Sequence, residues 1–216
     1  MAEPEATRLL VVRHGETDAN AAGTWQGATD HPLNDRGRAQ ARALALRLAE
    51  EYPDIRAIYT SPLQRARQTA EIIAETLGPV PIIEEPDLRE YHLGEWEGLT
   101  YEELRYEKRL WERMRADAHW APPGGESAYH FALRVLNAFQ RIAQRHPGET
   151  ILVVGHGGAI ATALALLLER DGSKWDAYQM VNCALTELLF SPQPRLIRFN
   201  ETQHLAKTGH GGRPRL

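Results

Sequence analysis

Three short runs of aliphatic residues, each without alternation, constrain this chain more than any other feature. They are Leu-Leu-Val-Val within Arg8 to Arg13, Ala-Ile-Tyr within Arg56 to Thr60, and Ile-Leu-Val-Val within Thr150 to Val154. A strand with one wet face alternates apolar and polar residues, so an unbroken run of this length suits a strand covered on both faces. Such strands need helices above and below. Asp35 opens an Ala/Leu/Arg-rich segment to about Glu51 in which Ala41, Leu44 and Leu48 recur at helical spacing. Ser61-Pro62 ends the second run, with Pro62 suited to the first turn of a helix reaching Leu77, and Ala159 to Leu168 is a nearly all-apolar helix after the third. The pattern predicts an α/β fold, a three-layer αβα sandwich around a mostly parallel central sheet.

Pro81 to Glu84 reads as a further strand, followed by a loop over Asp87 to Gly98 that is dense in Glu, Gly and Trp. Helical segments near Tyr101 to Arg115 and Glu126 to Arg145, parted by Ala121-Pro122-Pro123-Gly124-Gly125, read as a small helical cap, so that residues 86–145 are inserted in the α/β core. Leu185 to Phe190 and Arg195 to Phe199 are expected as edge strands joined by a Pro-rich turn. The reading is one domain over residues 1–205, beginning with a frayed acidic leader, and a mobile Gly-rich basic tail over 206–216.

The 25 basic and 29 acidic residues leave a formal charge of −4, which provides no global positive field for nucleic acid or an anionic membrane. The longest apolar run, Ala159 to Leu168, is well short of the ~20 residues that span a bilayer, and the leader lacks the basic start and apolar centre of a signal peptide. Cys183 is the only cysteine, which excludes an intrachain disulfide and suits a reducing cytoplasm. Oligomeric state is not legible, and a homodimer is compatible with the sequence. The nine histidines show no metal-ligand spacing and no Gly-rich phosphate loop is present, so neither metal nor cofactor is expected.

Ligands of open parallel sheets bind outside the carboxyl ends of the strands. Those ends carry Arg13-His14-Gly15, then Ser61 with Arg65 one helical turn on, then His156-Gly157. Two imidazoles and two guanidiniums would therefore meet at one place. Arginine forks match phosphate oxygens, and an imidazole can attack phosphorus, so the cluster points to phosphoryl transfer on a small phosphomonoester. A neutral His14 would be the nucleophile, kept neutral by neighbouring cations, while Arg13, Arg65 and His156 hold the oxygens. The leaving oxygen needs a proton, and spacing alone does not choose among Glu90, Glu95 and Glu97 in the loop.

These residues fall in an order that resembles the histidine phosphatase, or phosphoglycerate mutase-like, superfamily. The resemblance runs from about Leu9 to Leu205. It rests on Val-Val-Arg-His-Gly-Glu-Thr-Asp-Ala-Asn at 11–20, Trp25-Gln26-Gly27, Ser61-Pro62-Leu63-Gln64-Arg65-Ala66, Leu88-Arg89-Glu90, Gly94-Glu95-Trp96-Glu97-Gly98, Pro123-Gly124-Gly125-Glu126-Ser127 and Val154-Gly155-His156-Gly157. It implies phosphorylation of His14, a pocket of Arg13, Arg65 and His156, and Glu90 as proton donor and acceptor, without a metal. It also implies phosphate or substrate binding by Asn20, Gln26, Gly27 and Gly157.

The family divides into mutases and phosphatases, and this chain departs from the mutase pattern. Leu93 and Tyr101 stand where mutases carry tyrosine and lysine, Arg113 and Arg115 alternate where an adjacent arginine pair is expected, and Gly158 stands where asparagine follows the second His-Gly. A metal-independent phosphatase is therefore expected, with a cofactor-dependent phosphoglycerate mutase or a non-catalytic phospholigand-binding module as the alternatives. His31, His92, His119, His130 and His146 are read as surface or supporting residues, and Trp96, Trp111 and Trp120 as packing in the cap.

Overall fold

A computed structural model describes residues 5–191, 193–206 and 208. The expected tail therefore lies almost wholly outside the described residues, as does the start of the expected leader. In chain order the elements are β1 (Thr7–Arg13), α1 (Asp18–Ala22), α2 (Asp35–Glu51), β2 (Ile55–Thr60), α3 (Gln64–Leu77), β3 (Ile82–Glu84), α4 (Leu110–Ala116), α5 (Ala128–Arg145), β4 (Thr150–Gly155), α6 (Gly157–Glu169), β5 (Leu185–Ser191) and β6 (Gln193–Glu201). The strands form one sheet in the order β3-β2-β4-β1-β5-β6. β1, β2, β3 and β4 are parallel, and β5 and β6 are antiparallel to their neighbours.

Alternation along β1 explains the three layers. Leu10 and Val12 join α2 and α3 in one buried cluster, while Leu9 and Val11 join α5 and α6 in another on the opposite face. Both faces are dry, which is why the strand residues are aliphatic without a break. Asn34 caps α2 by accepting from the Gly37 amide at 2.8 Å, and Ser127 caps α5 through the His130 amide at 3.2 Å.

Four expectations change. Pro62 precedes α3, whose first amide, on Gln64, is taken by the Asp30 carboxylate at 2.6 Å. The helix expected over Tyr101 to Arg115 is a π-helical turn at Glu103–Glu107 and a separate α4, parted at Arg109, whose φ of 53° cannot continue a right-handed helix. α5, expected in the cap, is a layer helix, because Phe131, Val135, Ala138, Phe139 and Ile142 recur at helical spacing and bury against the sheet. β5 is not an edge strand: it lies between β1 and β6, which takes the edge.

Candidate active site

The carboxyl ends of β1 and β4 are neighbours, paired in register through Arg13 and Gly155, and β2 ends beside them at Thr60 and Val154. This brings His14, Ser61 and His156 together although they are far apart in sequence. The His14 and His156 ring centroids are 5.2 Å apart.

His14 is buried, and its Nδ1 lies 2.7 Å from the Gly15 carbonyl. A carbonyl only accepts, so Nδ1 carries the proton and Nε2 keeps its lone pair. Burial, with the Arg65 and Arg13 guanidiniums adding to it, holds the imidazole well below the usual histidine range against the opposing pull of the Gly15 carbonyl. The ring is thus neutral at physiological pH. Its backbone is pinned as well: the His14 amide donates to Gly155 O, and Asn182 Nδ2 donates to His14 O, both at 2.9 Å. Gly15 closes the loop onto α2, where an added Cβ would stand 2.5 Å from Gly37 O, so no side chain fits.

Arg65 is almost fully buried. It donates to Thr29 O and Gly27 O at 2.7 Å each and to His156 Nδ1 at 3.2 Å. Burial lowers its pKa to about 10, with Glu90 and Asp30 resisting, so it stays cationic. Because Arg65 Nε only donates, His156 Nδ1 must accept, and its Nε2–H points to Ser61 Oγ at 2.8 Å. Both ring nitrogens of His156 are therefore engaged. The ring is fully buried, and burial together with Arg65, His14 and Arg13 depresses its pKa strongly.

Arg13, His14, Asn20, Gln26, Gly27, Arg65, Glu90 and Gly157 all line one cavity of about 50 Å³. At ~10–15 Å³ for each water-sized occupant, that is room for a group of phosphoryl size. The buried Arg13 Nε has no partner, although Arg13 Nη1 donates to Met180 O at 2.7 Å. Gln26 Oε1 and Gln179 Nε2 are likewise buried without partners. Unpaired buried polar atoms are costly, and the three residues that carry these line one cavity, which points to a polar ligand site. Asn20 Oδ1 accepts from Thr17 N at 3.2 Å and Asn182 Nδ2 at 3.3 Å, which leaves the Asn20 amide N–H groups for a ligand. Gly157 starts α6 and packs on Arg13: a Cβ there would stand 3.3 Å from the guanidinium carbon.

Of the three loop glutamates, Glu90 faces the cavity. Its Oε1 accepts from Tyr91 N at 2.9 Å and its Oε2 from Gly158 N at 2.8 Å. Glu97 turns away to Ala28 N, Thr29 Oγ1 and His92 Nδ1. Burial raises its pKa, and these bonds outweigh that and lower it. Arg134, unremarked in the sequence, holds the Glu90 segment from α5. It donates to the carbonyls of Asp87, Arg89 and Glu90 at 2.9, 2.7 and 2.9 Å and pairs with Glu126 side-on through Nε and Nη2. Trp96 packs on Trp120 and Trp111 on Tyr101 and the core, as expected, and Trp111 also lines a further cavity. Among the described residues no cluster of His, Cys, Asp or Glu could hold a metal ion, and no helix is long and apolar enough to cross a membrane.

The family model of the histidine phosphatase superfamily (branch 1) matches residues 9–202. The chain is 36% identical over 211 residues to the metal-independent phosphoserine phosphatase of Arabidopsis thaliana, covering 96% of this chain and 87% of that one. It is 45% identical over 156 residues to phosphoglycerate mutase-like protein 4 of the same plant, covering 70% and 67%. Among solved structures, phosphoserine phosphatase of Entamoeba histolytica in complex with 3-phosphoglyceric acid superposes with a TM-score of 0.81 at 32% identity, over 92% of this chain and 99% of that chain.

Proposed function

The chain belongs to the histidine phosphatase superfamily, and from that premise we propose that it hydrolyses a small phosphomonoester through a phosphohistidine on His14, without a metal. The observation that carries this reading is the neutral His14 with its free Nε2 beside the unpartnered Arg13 Nε in a cavity of phosphoryl size.

His14 Nε2 attacks phosphorus as the ester bond breaks, and the Glu90 carboxyl gives its proton to the leaving alkoxide. Arg13 and Arg65 offset the charge on the transferring oxygens, with the amides of Asn20 and Gln179 and the start of α6 at Gly157 beside them. The Glu90 carboxylate then takes a proton from water as that water attacks the phosphohistidine. Phosphate departs, and both His14 and Glu90 return to their starting forms. His156 is a positioning residue that fixes Arg65 and is fixed by Ser61. Its lone, buried Cys183 suits a reducing cytoplasm.

Water as acceptor is supported at the positions where the family's mutases carry anion-binding groups. Leu93 is buried and Tyr101 packs on Trp111 at 4.8 Å, so neither supplies a cation for a second charged substrate group. The test is phosphate release from a panel of phosphoesters in excess chelator, with rapid quenching to trap the acid-labile phosphoenzyme. We expect undiminished turnover in chelator, and loss of both turnover and label in His14→Ala. A His14→Ala protein that keeps near-normal rates contradicts the assignment, and fast isomerisation of phosphoglycerate with slow release would make the chain a mutase.

A further inference from the structure

Beyond the phosphate pocket lies a second and much larger cavity, of about 420 Å³, between α4 and the start of α5 on one side and α6 with its following turn on the other. Trp111, Met114, Phe131, Leu166 and Trp175 are among its walls. The Trp111 and Trp175 rings lie nearly parallel, 13° apart in plane with centroids at 6.3 Å, and Trp25 meets Trp111 edge-on at 6.2 Å. Trp25 and Gly158 are walls of both cavities, so the larger one adjoins the phosphate pocket at the residue whose amide donates to Glu90.

We infer that this cavity receives the leaving group, and that the preferred substrate is the phosphate monoester of a bulky, apolar, ring-bearing alcohol. The inference rests on the phosphatase reading above. Arg115 is the one charged side chain among the cavity's described walls. Trp25 and Tyr91, whose buried indole N–H and hydroxyl have no partners, are also among its walls. A zwitterionic or polyhydroxylated alcohol would shed its water here with few groups to replace it, which is unfavourable. A flat apolar group would instead bury its surface against aromatic faces. Neither phosphoserine nor 3-phosphoglyceric acid, the compounds named for two of the relatives above, has such a group.

The experiment compares naphthylethyl phosphate with ethyl phosphate and O-phosphoserine, all esters of primary alcohols, so that leaving-group basicity does not decide the outcome. We expect kcat/KM for the naphthylethyl ester to exceed both others by about tenfold or more, the discrimination an apolar pocket supplies. Ala132→Phe, which fills the cavity from α5, should cut the naphthylethyl-to-ethyl ratio by a similar factor. Calorimetry with the two non-hydrolysable phosphonates on the wild-type protein gives a reading independent of turnover, and the naphthylethyl compound should bind about tenfold more tightly. Equal or weaker binding, a phosphoserine preference, or an unchanged ratio in Ala132→Phe overturns the inference. Selective phosphonate binding without release from any ester would retire the phosphatase reading while supporting the occupant assigned to the cavity.

Discussion

Replacing Arg134 with methionine keeps much of the side chain's volume and removes its charge and donors. The guanidinium ties Glu126 to the carbonyls of Asp87, Arg89 and Glu90, so Arg134 holds the backbone around Glu90 to α5, while Arg141 holds the start of the loop through Glu85 and Asp87. The Arg134 and Glu126 side chains are 16% and 19% exposed. Breaking a buried pair by removing one partner costs about 3–5 kcal/mol, and partial exposure places this case near the lower end, at about 3 kcal/mol. For a domain of this size that lowers Tm by about 6–12 °C. The effect on rate should be selective. Freed carbonyls let the Glu90 segment drift, and misplacement by about 1 Å costs on the order of 10²-fold. An ester of an ordinary alcohol needs the Glu90 proton and should lose that factor in kcat. p-Nitrophenyl phosphate, whose leaving group departs as a stable anion, should lose only a few-fold, at temperatures well below the lowered Tm. Equal losses on the two esters would refute the reasoning, because they would place the damage in the phosphate pocket or in folding and not at the proton donor.

Gly158→Asn, the residue the mutases carry, would drive its Cβ to 2.6 Å from Glu90 Oε1. Release of phosphate from an alkyl ester should fall about 10²-fold without a gain of phosphoglycerate isomerisation, measured by paired assays. In acid the fold should weaken for a separate reason. His14 and His156 are both depressed in the folded state, so below pH 6.5 the unfolded chain takes up protons that the folded one refuses. Stability is therefore full above that pH and declines as pH falls toward the folded-state values, by up to about 1.4 kcal/mol per pH unit for each imidazole. Urea midpoints at about pH 7.5 and 5.5 check this, and His156→Gln should shallow the decline. The acid limb of kcat/KM should likewise lie below pH 6.5, because His14 stays neutral there; a limb centred at or above 6.5 would contradict its depressed pKa.

Much of the site was legible because its main groups stand at the ends of strands that announce themselves. Leu9 to Val12 and Ile151 to Val154 can only be covered strands, and the residues that stop them are His14 and, after Gly155, His156. Asp35 and Glu51 bound α2 as its capping and periodicity predict. What stayed hidden depends on tertiary placement. Gln179 and Asn182 belong to no motif; the first lines the pocket and the second holds the His14 backbone because β5 pairs with β1, carrying the segment before it past His14. The engagement of both His156 nitrogens follows from how Arg65 and Ser61 meet it across two strand ends, which spacing does not encode. Arg134 looks in sequence like any exposed helix arginine, and only the packing of α5 under the sheet brings it to the Glu90 loop. The left-handed Arg109 that splits the cap helix carries no local breaker such as Gly or Pro.

The two cavities meet at Trp25 and Gly158 alone among their described walls, which separates the parts of the chain that would break a bond from those that would choose whose bond is broken. Substitutions at Met114, Ala132 or Leu166 can therefore reshape the alcohol's berth without moving any group that meets phosphorus. An engineer, or natural drift, could retune such a protein toward new esters through α4, α5 and the far end of α6, provided those two shared residues are left alone.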